Sequence, residues 1–327
     1  MVKRILLVIF GLILCSNVFA KTKFSEIKKA LKEDDYGNVR TILNHQLNSR
    51  KAINPTSISD FSIIGEKSIR FELNHGECGR EPVWNDCETD RERVELVFGK
   101  EKWKKEKWYR FYIFLPEDYN LLDPAFMSLI QWKRFKPSLV LVHFRHTKDG
   151  LIFERHSQTF EFEAFNLKKN EELYGNWTEI IFATNWHPDP QKGFMKVWID
   201  GKLKVDVKDR SNNKKGRELS LRFGLYSAFL KKYREAKKTN IHPQRIIFFD
   251  GVRVQSNCKK LLDENQCQKL TSQTIKEDKK LVTNDNPKEI SPKLIKEISP
   301  KLIEKCKSLT KYGNNWYYNK CDELNSK

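Results

Sequence analysis

The sequence predicts an all-β sandwich. Short runs rich in Val, Ile, Phe, Tyr and Trp recur between turn signals from about residue 57 to residue 255. No long helical pattern interrupts them. Asp200-Gly201, set between Ile199 and Leu203, has the composition of a hairpin turn, because glycine accepts the positive φ such turns need.

The expected strands cover residues 68–73, 94–98, 108–114, 127–132, 139–146, 151–154, 177–183, 194–199, 219–226 and 245–254. That many strands in about 200 residues describes two packed sheets, in the β-jelly-roll form. The jelly roll is assigned to residues 57–256. Before it, residues 21–56 are polar with sparse apolar positions and predict a short amphipathic helical lead-in. After it, residues 257–305 are rich in Lys, Glu, Asn and Thr and carry an eight-residue repeat, Ile290-Ser291-Pro292-Lys293-Leu294-Ile295 returning as Ile298-Ser299-Pro300-Lys301-Leu302-Ile303. Such a stretch buries little core and is expected to be a linker. Residues 306–327 close the chain as a small aromatic segment stapled by Cys306 and Cys321.

The first 20 residues predict export. Lys3 and Arg4 precede an apolar run over residues 5–14, and Val18 and Ala20 stand at −3 and −1 of a cleavage point before Lys21. The run falls short of the roughly 20 apolar residues a membrane span needs. Leu14 before Cys15 disfavours lipid attachment. Cleavage leaves Cys78, Cys87, Cys258, Cys267, Cys306 and Cys321, an even set that predicts disulfides in a secreted or periplasmic chain. Sequence-local pairing, 78 with 87, 258 with 267 and 306 with 321, is the expected connectivity among fifteen possible. With no close Cys-x-x-Cys doublet and no acidic cluster, no metal or cofactor is expected.

The chain carries a net charge of +18, and losing a signal with two basic residues leaves +16. A strongly basic exported protein points to a polyanionic partner. Export favours an anionic polysaccharide over nucleic acid, and no nucleic-acid motif is present. Neither stable membrane insertion nor oligomerisation is expected.

Three segments concentrate functional side chains on strand faces. Arg93 and Glu95 lie two apart in Arg93-Val94-Glu95-Leu96 and share a face, where Glu95 is expected to hold the guanidinium. Gln131 and Lys133 share a face in Gln131-Trp132-Lys133, as do Arg222, Gly224 and Tyr226 in Arg222-Phe223-Gly224-Leu225-Tyr226. Gly224 is expected to leave room for a ligand ring between its functional neighbours. His143 and Arg145 share one face of their strand, while His146 continues the apolar face of Val140, Val142 and Phe144. His75 lies beside Cys78, His187 and His242 sit in turns, and all three are given no role. Trp132 and Trp186 are read as core.

In this order the segments resemble the polysaccharide lyase family that includes heparin lyase I-like and glucuronan lyase-like proteins, and the wider jelly-roll group that includes alginate lyases. Alginate lyases of that group carry Arg-x-Glu-Leu, Gln-x-His and Lys-x-Gly-x-Tyr strands on one concave sheet. Arg93-Val94-Glu95-Leu96 matches the first, and the other two segments approximate the rest, with Lys133 in place of His and Arg222 in place of Lys. The segments over 177–181, 193–201 and 249–254 also resemble concanavalin A-like sandwiches, so the likeness spans about residues 60–255.

The resemblance implies β-elimination on a uronate polymer. A carboxylate must be neutralised, a base must take the adjacent proton, and an acid must protonate the leaving oxygen. It implies Arg93, Gln131, Arg222 and Arg145 as substrate-binding residues, with Tyr226, Lys133 and His143 as catalytic ones. Lys133 serves as base only if its pKa is depressed, and Tyr226 needs a nearby cation, for which Arg222 is the candidate. A lectin-like binding module and a glycoside hydrolase remain as alternatives. The hydrolase requires paired carboxylates, and the chain has no Glu-x-Asp-x-x-Glu run.

Overall fold

The computed structural model describes residues 56–275, apart from 82–83, 102, 135–138, 157–161 and 215–216. The signal peptide, the helical lead-in, the repeat and the Cys306–Cys321 pair lie outside the described residues. Strands follow in the order β1 (Thr56–Ser59), β2 (Ser68–Leu73), β3 (Arg80–Glu81), β4 (Trp84–Asn85), β5 (Arg91–Glu101), β6 (Glu106–Phe114), β7 (Phe126–Arg134), β8 (Leu139–Thr147), β9 (Gly150–His156), β10 (Phe162–Lys168), β11 (Trp177–Asn185), β12 (Phe194–Ile199), β13 (Lys202–Lys208), β14 (Leu219–Ala228) and β15 (Arg245–Gln255). Among the described residues, short α-helices lie between strands, α1 (Asn170–Leu173) and α2 (Leu230–Lys237), and after the last strand, α3 (Cys258–Leu261) and α4 (Glu264–Thr271).

Two antiparallel sheets form the sandwich expected from the sequence. One runs β1-β2-β15-β6-β11-β12-β13, the other β10-β9-β8-β7-β14-β5, with a small β3-β4 ribbon beside them. Alternation places Val94 and Leu96 of β5, Ile130 and Trp132 of β7, Val142 and Phe144 of β8, and Phe223 and Leu225 of β14 in the layer between the sheets. Phe71, Phe111, Phe182 and Phe249 fill it from the seven-stranded sheet. Trp132 and Trp186 are fully buried among these rings, as expected for core residues. The β12–β13 hairpin turns at Asp200 and Gly201, both with positive φ (49° and 74°), the geometry of a type I′ turn.

The packed unit does not end at residue 256. Asn257 caps α3 and Asp263 caps α4 through their side chains. Cys258, Leu261, Leu262, Cys267 and Leu270 pack on Trp108, Ile181, Ala183 and Trp198, on the far side of the seven-stranded sheet from the main core. The Trp198 indole donates to the Leu270 carbonyl at 3.1 Å. Residues 258–271 are therefore structured, correcting the linker expectation for that stretch. Their apolar residues are few but fall on the helix faces that meet the sheet. Cys78–Cys87 and Cys258–Cys267 are disulfide-bonded.

Gly224 also departs from expectation. Its φ is +135°, and the β14–β7 register shifts between Phe223 and Tyr226. A Cβ there would lie 2.3 Å from the Val94 carbonyl oxygen and 2.9 Å from the Phe71 ring. The glycine is required by the backbone and the interior; it does not clear space on the outer face. Gly224→Ala should therefore destabilise the fold by about 2 kcal/mol or more, measured as a lowered urea midpoint at unchanged slope. Wild-type stability would show that the strand relaxes freely.

Candidate functional site

The outer face of the six-stranded sheet gathers the residues singled out in sequence. Tyr226 of β14 lies opposite Arg93 of β5, Gly224 opposite Glu95, and Arg222 opposite Gln131 of β7. Gln131 in turn lies opposite His143 of β8, which faces Glu154 of β9. A strip of polar side chains thus crosses five strands on the face turned away from the core.

One hydrogen-bonded group on the strip surrounds Arg93. Arg93 Nε and Nη2 donate to the two Asp86 carboxylate oxygens at 2.5 and 3.0 Å. Arg93 Nη1 donates to Glu95 Oε2 at 3.2 Å, and Gln131 Nε2 donates to Glu95 Oε1 at 2.5 Å. The guanidinium also lies 4.4 Å from the centre of the Tyr226 ring. Glu95 accepts one hydrogen bond from Arg93, and Asp86 accepts two. Burial lowers the pKa of this guanidinium, and the charges of Glu95 and Asp86 more than reverse that, so it stays charged. Sequence reasoning missed Asp86 because it sits in a turn seven residues before Arg93. Only the neighbouring Cys78–Cys87 staple hinted that this turn is fixed.

Lys133 and Arg222 are held differently. Both are half-buried, and neither forms an ion pair among the described residues. Arg222 Nε is buried without a hydrogen-bond partner there. Burial, then the charges of Arg222 and Arg93, push Lys133 down to about 7. Burial also lowers Arg222, partly offset by Glu95. The half-buried Tyr226 phenol is raised by burial against the opposing charges of Arg93 and then Arg91. Arg93, rather than the expected Arg222, is therefore the leading cation beside this phenol.

Farther along the strip, His143 is buried, with Nδ1 3.1 Å from Ser128 Oγ. Burial outweighs the nearby Glu154 charge and brings His143 down to about 3, which keeps the imidazole neutral at ordinary pH. Arg145 stacks on the Phe126 ring at 4.1 Å and donates to Glu154 Oε2 at 2.5 Å, while His156 Nε2 lies 2.7 Å from Glu154 Oε1. Burial raises the Glu154 carboxyl, but the His156 hydrogen bond and the Arg145 charge hold it well below the usual range. His146 points inward as expected, with Nε2 2.9 Å from Asn170 Oδ1 and 3.1 Å from the Tyr174 hydroxyl.

Two groups of three side chains have metal-ligand character: His143, Glu154 and His156 on this face, and His75, Glu92 and His242 elsewhere. In the first, Arg145 engages Glu154 Oε2 and His156 approaches Oε1; in the second, Arg245 engages Glu92 Oε2, and Gly76 N–H and His242 approach Oε1. Among the described residues, no helix is long and apolar enough to cross a membrane.

A family model described as polysaccharide lyase matches residues 34–253, about two thirds of the chain. The chain belongs to the polysaccharide lyase family. The family match begins within the segment expected to be the helical lead-in. Solved structures similar to this family member include an endo-β-1,4-glucuronan lyase from the fungus Trichoderma reesei, at 17% identity and TM-score 0.48, covering 66% of this chain and 93% of the other. They also include alginate lyase A1-II′ at 11% identity and TM-score 0.42, covering 58% and 80%, and the cellulose-induced protein Cip1 at 12% identity and TM-score 0.37, covering 62% and 85%. No curated protein matches the chain.

The geometry distinguishes two kinds of cation by what their loss should do. Asp86→Ala strips a buried guanidinium of its main partner and should cost about 3 kcal/mol. Lys133 titrates lower in the folded chain than its unfolded value, so the folded state binds fewer protons between about pH 7 and pH 10. Its contribution to stability therefore increases as pH rises through that window and is least favourable below it. Lys133→Met should match or exceed wild-type stability at pH 6 and lose this component of the pH dependence, as followed by urea unfolding at several pH values.

Proposed function

We propose that this family member is an exported lyase that cleaves a uronate-containing anionic polysaccharide by β-elimination. The observation carrying the reading is the pair Lys133 and Arg222, half-buried cations without an acidic partner among the described residues, on the same face as a neutral phenol. Unpaired buried charge is costly unless a ligand completes it. A sugar carboxylate does so.

In this reading Arg222 receives the C6 carboxylate and stabilises the charge that develops as the C5 proton leaves. Lys133, near pKa 7, supplies a neutral amine to take that proton. The C5–H electrons form the C4–C5 double bond, the C4–O4 bond breaks, and Tyr226 passes its proton to O4. Arg93 and Gln131 act mainly through position, because their donors are engaged by Asp86 and Glu95. This differs from their expected direct grip on the carboxylate. His143, neutral, and Arg145 flank the next sugar along the strip. The two disulfides support an oxidising compartment outside the cytoplasm.

A panel of uronate polysaccharides should yield the absorbance of a conjugated C4–C5 double bond with at least one polymer. Tyr226→Phe should lower kcat by about 10²–10⁴-fold while leaving polymer affinity near wild type. On the acid side, kcat/KM should rise with pH through about 7 as Lys133 loses its proton, and Lys133→Arg should abolish turnover. Binding without the chromophore on any polymer would favour a carbohydrate-binding module. New reducing ends without it would favour a hydrolase.

A further inference from the structure

Away from this face, three side chains from distant parts of the chain present ligand atoms to one point. His75 lies in the turn after β2, Glu92 in β5, and His242 in the segment leading into β15. The two imidazole Nδ1 atoms are 3.1 Å apart. Glu92 Oε1 lies 2.9 Å from His242 Nδ1 and 3.6 Å from His75 Nδ1. A point equidistant from all three lies roughly 2 Å from each, the length of a Zn–N or Zn–O bond.

Hydrogen bonding leaves one contact of this arrangement unexplained, the approach of the two Nδ1 atoms. The His242 backbone N–H donates to His75 Nδ1 at 3.3 Å, which makes that nitrogen an acceptor. His242 Nδ1 carries at most one proton; given to Glu92 Oε1, it leaves the two Nδ1 atoms 3.1 Å apart with no hydrogen between them. A single divalent ion satisfies all three at once. We propose that His75, Glu92 and His242 form a metal site of zinc type.

The surroundings fit a ligand set held from behind. Arg245 engages Glu92 Oε2 and donates through Nη1 to Ser227 Oγ at 2.8 Å, fixing the carboxylate. Glu92 and His242 are buried, whereas the His75 side chain is 44% exposed, leaving an approach from solvent, from which the proposed ion would take water as a fourth ligand. Arg234 Nη1 lies 3.3 Å from His242 Nε2, and its Nη2 is held at 2.8 Å by Asp90. When the ion displaces the Nδ1 proton to Nε2, Arg234 keeps the shorter contact and releases the longer one. The Arg245 charge opposes the ion, so affinity should fall below that of a His₂Glu set with no guanidinium beside it.

The site is structural and does not rest on the elimination reading. It joins three segments, one of which continues through Cys78–Cys87 to Asp86, the acid that holds Arg93. Gly76 N–H donates to Glu92 Oε1 at 2.7 Å, and Arg93 N–H to the Glu77 carbonyl at 3.3 Å. An ion here stiffens the loop that sets the Arg93 guanidinium.

The test is metal content and thermal stability of the untagged full chain, stripped with chelator and then equilibrated with zinc alone. One zinc per chain after removal of free ion is expected, with a zinc-induced rise in Tm of about 5 °C. His75→Ala changes an exposed residue and should keep the metal-free Tm while losing both the zinc and the rise. His242→Ala should lose them too. Cobalt(II) in place of zinc should give the intense visible bands of a four-coordinate site in wild type only. Wild type without stoichiometric zinc, or His75→Ala that retains zinc and the Tm rise, would overturn the site.

Discussion

The outer face of the six-stranded sheet is governed by an uneven distribution of counter-charge. Asp86 and Glu95 both turn to Arg93, and Gln131 completes the Glu95 carboxylate. The acids on this part of the face are thereby committed to one guanidinium. Lys133 and Arg222 remain near enough to repel each other and Arg93, with burial removing the water that would relieve them. A fold accepts such a cost where a bound anion repays it. Everything proposed about function descends from that imbalance: the proposal takes Arg222 as the receptor for a carboxylate and Lys133 as an amine that is not fully protonated.

The rest of the architecture maintains it. Strand alternation gives the core one side of β5, β7 and β14 and the polar strip the other, so the aromatic interior and the charged face are two readings of the same residues. The Gly224 irregularity shifts Tyr226 relative to β7, while its pairing with Arg93 on β5 stays in register. The Cys78–Cys87 bridge and the contacts of Glu77 and Gly76 anchor the loop bearing Asp86. On the far side of the seven-stranded sheet, α3 and α4 cover Trp108 and Trp198 and take no part in the polar strip.

Much of this was legible from spacing. Arg93 with Glu95, Gln131 with Lys133, and His143 with Arg145 share faces because strand side chains repeat every two residues, and that needs no tertiary knowledge. Asp86 was not legible, because its partnership depends on a loop folding back through a disulfide. Gly224 was misread because a positive φ rotates the Cβ direction away from simple alternation. Residues 258–271 were misread because a polar composition conceals two short helices whose few apolar residues all face the sheet. His75, in a turn, and His242, in the segment leading into β15, are 167 residues apart, and their meeting on Glu92 follows only from β2 and β15 pairing side by side.

The most direct measurement is the titration of the Lys133 side-chain nitrogen by NMR, with and without a uronate oligosaccharide. The account predicts a midpoint near 7 in the free protein and a clear upward displacement when the sugar carboxylate binds alongside. A midpoint near the ordinary lysine value of about 10.4, unmoved by the oligosaccharide, would contradict it.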